Sequence, residues 1–190
     1  LVQNGVNLEK ISNFESKYKH LRLVKRPGLK TTYVGFNVKD RYLSNVKVRK
    51  AITYAINKKA IIKYIMRGMA LEAKTLLPND HKFYNGELLF PEYDPDKAMK
   101  LLDQAGFAAS KEKRFRFSLS YKTTTNPMRI AVGRAIAADL QKVGIKVKVR
   151  SQEWGRFKED VEKGRVQLWG LTWIGFKDPD IYRYAFGSDS

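Results

Sequence analysis

His20 and His81 are the two imidazoles of this sequence, and neither has the neighbours that imidazole chemistry needs. No HExxH spacing surrounds them, which excludes a helical zinc site of that type. His81 follows Asp80, so two metal donors are adjacent, yet the run of Pro78, Asn79, Asn85 and Gly86 around them reads as a turn in water. Asp178 and Asp180 flank Pro179, where paired carboxylates form turns and caps more readily than a general acid and base. There is no GxSxG for an activated serine, and no GxxxxGK[ST] or GxGxxG for phosphate or dinucleotide. The absence of cysteine removes disulfides, thiolate metal sites and a catalytic thiol. These residues read as a non-enzyme without a cofactor.

The aromatic and hydroxyl residues are more informative. Trp169 and Trp173 stand four apart and lie on one side of either a strand or a helix; at least one is expected in the core, where large aromatics usually go. Trp173 ends its expected strand and is followed by a turn containing Gly175. Strand ends that feed loops are where α/β folds place ligand contacts, which makes Trp173 a candidate. Lys122, Thr123, Thr124 and Thr125 are expected in the equivalent place, after a strand and before a helix cap, offering a charge and adaptable hydroxyls. Local turn bonding is the alternative for the threonines.

The elements that must position these residues follow from periodicity. Residues 1–30 give a weak pattern: a short strand within 2–11, helical turns within 12–19, a strand at 21–24 and a turn at Pro27-Gly28. Residues 31–38 are β-branched and aromatic, a strand. From 46 the spacing of Val48, Ala51, Ile52 and Ala55 predicts a helix, with Asn57 capping a second that ends at Gly68. Residues 69–93 have no sustained period and read as a long ordered loop. Asp94-Pro95-Asp96 starts a helix ended by Gly106. Phe115, Phe117, Leu119 and Tyr121 alternate as a half-buried strand. Asn126-Pro127 starts the longest helix, over 128–143, with Gly144 its stop. Ile145, Val147 and Val149 alternate again; 154–162 reads as a short amphipathic helix, 166–173 as a buried strand and 181–186 as a helical turn. Strands alternating with helices in this way give an α/β, mixed α+β fold, a mixed sheet covered by helices.

The chain of 190 residues is 43% hydrophobic and carries 37 Lys+Arg against 19 Asp+Glu, a net charge of +18. Length and composition fit a single domain over 1–190 with a real core and exclude a disordered chain. No run approaches the roughly 18 apolar residues of a membrane-spanning helix. The charge raises nucleic acid as an alternative partner, through Lys146, Lys148 and Arg150 with the 111–116 cluster, but the basic residues are scattered over every segment.

Several stretches together resemble the family 5 extracellular solute-binding proteins, the oligopeptide- and dipeptide-binding components of ABC importers. They are Tyr33-Val34-Gly35-Phe36-Asn37, VKVRKAITYAIN over 46–57, YDPDKAMKLLDQAGF over 93–107 and LQKVGIKVKV over 140–149. Trp154, Gly164 and Trp173 with Asp178-Pro179 follow in the family's order, so the resemblance covers 31–186. It implies a periplasmic-binding-protein-like lobe, the second of two that close on a ligand, inserted between two segments that build the first. The sequence opens at Leu1 without an initiator Met or signal peptide and is expected to be that lobe excised. The implied partners are a small solute or peptide, lobe one of the same full-length chain and the membrane permease. The implied location is periplasmic or otherwise extracytoplasmic, free or lipid-anchored.

The implied ligand contacts are Tyr33, Lys122, Thr123, Thr124, Trp173, Gly175 and Phe176. Two differences from the peptide binders stand out. The Asp that receives a peptide's amino terminus, three residues after the strand-end aromatic, is replaced by Phe176. The Arg that holds a dipeptide's carboxylate is missing from 122–125, where Lys122 is the available charge. Two further departures are Asn57 and Gln167, each in place of an expected Asp.

Overall fold

The computed structural model describes residues 17–20, 22, 24, 28, 30–77, 81–110, 112, 114–175 and 178–187. Four strands form one sheet in the order β1-β4-β2-β3, from β1 (Lys30–Phe36), β2 (Phe117–Thr124), β3 (Ile145–Gln152) and β4 (Leu168–Ile174). β2 runs parallel to both β3 and β4, and β1 closes the other side antiparallel to β4. The result is a mixed sheet, as the alternation of strands and helices predicts. The expected elements at 2–11, 12–19 and 21–24 fall wholly or largely outside the described residues, and so do Pro27 and Phe176.

Four helices begin where a polar side chain replaces the missing intrahelical acceptor. Asn45 caps α1 (Val46–Ala55), and Asn57 caps α2 (Lys58–Ala60), which continues as a π-helical turn over Ile61–Ile65. Asp94 accepts from Lys97 N–H at the start of α3 (Pro95–Gln104), and Asn126 accepts from Arg129 N–H at the start of α4 (Pro127–Lys142). Both of those helices carry proline in their first turn, where its missing N–H costs nothing. α5 (Trp154–Glu162) and α6 (Ile181–Phe186) complete the chain.

Pleating sorts the sheet residues onto two faces. Phe117, Leu119 and Tyr121 of β2 stand in register with Ile145, Val147 and Val149 of β3. With Leu168 and the apolar sides of α1, α3 and α4 they form the main core. The opposite face carries Lys122, Thr124, Trp169 and Trp173, and α5 lies against it, its Phe157 fully buried. Tyr121 fills the space between α4 and β4: a Cβ on Gly170 would sit 1.9 Å from its hydroxyl, and one on Gly133 2.7 Å from its ring. Burial pushes its phenol up to about 12.

Candidate functional site

In parallel strands the carboxyl ends share one edge, so β2, β3 and β4 all finish on the same rim of the sheet, and β1 begins there. Lys30 is opposite Ile174 and Thr31 opposite Trp173. The chain therefore enters β1 and leaves β4 side by side at this rim. Ligand contacts in open α/β sheets gather beyond such carboxyl ends.

Trp173 stacks on Tyr33, with ring centroids 6.1 Å apart and planes 16° from parallel. Both are half-buried. The register explains the contact: Tyr33 is opposite Leu171, so it projects on the same face as Trp173 one diagonal step away. Two of the expected ligand contacts are thus brought together as a flat aromatic wall. β4 extends one residue past Trp173, to Ile174, and Gly175 then takes a left-handed φ of 74°. Trp169, on the same face, has gone into packing; its indole lies across Gly35, where a Cβ would be 2.2 Å from the ring.

The threonine segment differs from expectation. Lys122, Thr123 and Thr124 are the last residues of β2 rather than a loop beyond it. The ladder to β3 continues through Thr124 opposite Gln152, and β-branched residues suit that extension. Alternation then divides the segment. Thr123 points to the α4 side, fully buried, with no hydrogen-bond partner for its Oγ1 among the described residues. Thr124, also buried, accepts from Arg129 Nη1 at 3.2 Å.

Lys122, expected to present a charge to a ligand, turns instead beneath α5. Its Nζ donates to Asp160 Oδ2 at 2.7 Å and to Arg165 O at 2.8 Å. Asp160 also accepts from Arg165 Nε at 2.8 Å. Hydrogen bonds from Lys122, then Arg165 and Gln152, hold the Asp160 carboxyl well below the usual carboxylate range. A cation neutralised this way is an anchor for α5, because moving it to a ligand would break its bonds to both Asp160 and Arg165 O.

Gln167 is the residue whose role sequence reasoning missed. Its Oε1 accepts from Ser120 N–H at 2.8 Å and from Ser120 Oγ–H at 2.9 Å, while its Nε2 donates to Asp40 Oδ2 at 2.8 Å. β2 pairs with β4 only at Tyr121–Leu168 and Lys122–Trp169, so Gln167 supplies by side chain the bond that the ladder does not reach. An aspartate has no N–H to offer Asp40, which explains the amide. The remaining candidates have local roles: His81 Nδ1 accepts from Phe83 N–H at 3.2 Å, and Asp178 Oδ1 accepts from Asp180 N–H at 2.9 Å.

The family description "Bacterial extracellular solute-binding proteins, family 5 Middle" matches residues 3–190. The dipeptide-binding protein of Escherichia coli is 37% identical over 168 residues, which are 86% of this chain and 31% of that protein. Heme-binding protein A of Haemophilus influenzae is 35% identical over 85% of this chain and 30% of its own length. Among solved structures, the periplasmic binding protein DppA of Helicobacter pylori, in complex with the peptide STSA, superposes with a TM-score of 0.80 and 31% identity. That match covers 95% of this chain and 34% of DppA. The chain spans about a third of the length of the curated relatives it matches. By the family match and these likenesses, the chain belongs to the bacterial extracellular solute-binding proteins of family 5 and has the fold of a periplasmic binding protein.

Proposed function

We propose that this chain is the second lobe of a two-lobed receptor that captures a small solute or peptide outside the cytoplasmic membrane and delivers it to the permease of an ABC importer. The observation that carries this reading is the Tyr33–Trp173 stack at the rim where the chain both enters and leaves the sheet. A lobe whose two connections run side by side can rotate as a body about them, and aromatic rings beside those connections then meet the solute on closure. Solute stabilises the closed state because only there is it enclosed by both lobes.

Binding without catalysis fits the side chains at the rim: a hydroxyl, aromatic faces and a guanidinium, with the nearby lysine already neutralised. The named ligands of the relatives range from dipeptide to heme, so the fold accommodates chemically different solutes. The test is native mass spectrometry of the whole protein, purified without refolding, beside its Trp173→Ala variant. A retained small molecule that the variant loses supports the reading. A protein that retains nothing and binds no member of a peptide and small-solute library refutes it.

A further inference from the structure

We propose that an open groove beside the Ile61–Ile65 turn docks on an anionic phospholipid bilayer, its cations on lipid phosphates and the exposed apolar side chains around it among the headgroups. The groove shares no residue with the Tyr33–Trp173 stack, and the proposal does not rest on the reading of the rim.

The helix that begins with α2 gives one wall. It widens into the π-helical turn, which Met66 N–H and Gly68 N–H close by donating to Ile61 O at 3.1 Å and Ile62 O at 2.9 Å. Arg67 then takes a φ of 51° and Gly68 one of 70°. A left-handed φ is costly for a residue with a Cβ, and two in succession turn the chain back. Residues 70–72 form the second wall. The groove between them holds about 520 Å³ and is lined by Lys59, Ile62, Lys63, Arg67 and Leu71.

Its charge is unbalanced. Glu72 is the carboxylate of the groove, and Lys58 already pairs with it. Lys59 reaches only the exposed Glu92, at 3.7 Å. Lys63 lies over the Tyr64 ring and has no ion pair among the described residues. The apolar surroundings are as unusual: Tyr64 is 71% exposed, Leu71 68% and Leu89 100%. Leu89 belongs beside the groove because Lys58 Nζ stands 3.8 Å over the ring of Phe90, the next residue, and Lys59 meets Glu92. A soluble polyanion would engage the cations and leave these side chains in water. A bilayer surface offers phosphates to the cations and an apolar layer to the leucines at once. The net charge of +18 favours approach to such a surface.

The experiment is flotation of the whole protein with vesicles of phosphatidylcholine and phosphatidylglycerol in equal parts, beside vesicles of phosphatidylcholine alone. Binding is expected to the anionic vesicles only, and to weaken as salt rises. Lys59→Gln, Lys63→Gln and Arg67→Asn are each expected to weaken it about fivefold; asparagine tolerates the left-handed backbone at 67. Leu89→Ser is expected to weaken it about tenfold. The comparison variant combines Lys146→Gln, Lys148→Gln and Arg150→Gln, exposed residues of β3, and is expected to leave binding nearly unchanged. A loss there as large as in the combined groove variant assigns the binding to net charge and overturns the proposal. So does a protein that binds neither vesicle, as it would with the first lobe over the groove, or one that binds both alike. Dimerisation that Leu89→Ser abolishes, without vesicle binding, makes the patch a self-contact and overturns it too. Solute retention is expected to survive in the groove variants. Vesicle binding by a protein that retains no solute upholds this proposal and defeats the transport reading alone.

Discussion

Lys122 Nζ lies 2.7 Å from Asp160 Oδ2, joining the end of β2 to the underside of α5. The pair and Arg165 form one network in which each member has a partner. Lys122→Met is therefore expected to lower the melting temperature more than Lys163→Ala, which removes only the exposed pair with Glu159. Equal shifts in the two variants, read by differential scanning calorimetry, would show that the network anchors nothing.

The same network sets the acid limit of stability. Asp160 is held below its ordinary value by Lys122, Arg165 and Gln152, so the unfolded chain takes up a proton first as pH falls. Its contribution is fully present above about pH 4 and is lost progressively as pH drops toward its folded value. Asp160→Asn should lower stability at neutral pH and flatten the acid arm of the curve, as measured by urea unfolding between about pH 2 and 6.

At the alkaline end the sign reverses. Tyr121 has its phenol pushed up to about 12, so the unfolded chain loses its proton first as pH rises above about 10. Stability contributed by Tyr121 is complete below that value and falls between pH 10 and 12. Tyr121→Phe is expected to remove this part of the alkaline loss in the same unfolding assay.

Tyr121 also makes a steric prediction. Gly170→Ala places a methyl 1.9 Å from the Tyr121 hydroxyl and should cost at least about 2 kcal/mol. Tyr121→Phe in the same chain should recover part of that cost, a coupling that a double-mutant cycle measures directly. Additive effects would place the hydroxyl elsewhere.

Gln167→Ala uncovers the Ser120 N–H and the Asp40 carboxylate, at a cost of about 1–2 kcal/mol. Amide exchange gives the sharper readout, because the Ser120 N–H should lose protection while the neighbouring Tyr121 amide, inside the ladder, keeps it.

The sequence alone determined the elements whose signals are local. Asn57, Asp94 and Asn126 announce helix starts because each side chain caps an N–H within three residues of itself, and alternation in β2 and β3 announces their buried face for the same reason. The order of family motifs was legible too, and with it the fold. What lay beyond reach was every fact that joins distant segments. Lys122 reads as an available charge until Asp160, 38 residues later, closes on it. Gln167 is opaque until Ser120 and Asp40 arrive from other elements. The threonines look like a loop until β3 extends their ladder and splits Thr123 from Thr124. Caps and pleats act over a few residues of chain, whereas ion pairs, stacked rings and register are decided by which surfaces the folded sheet brings into contact.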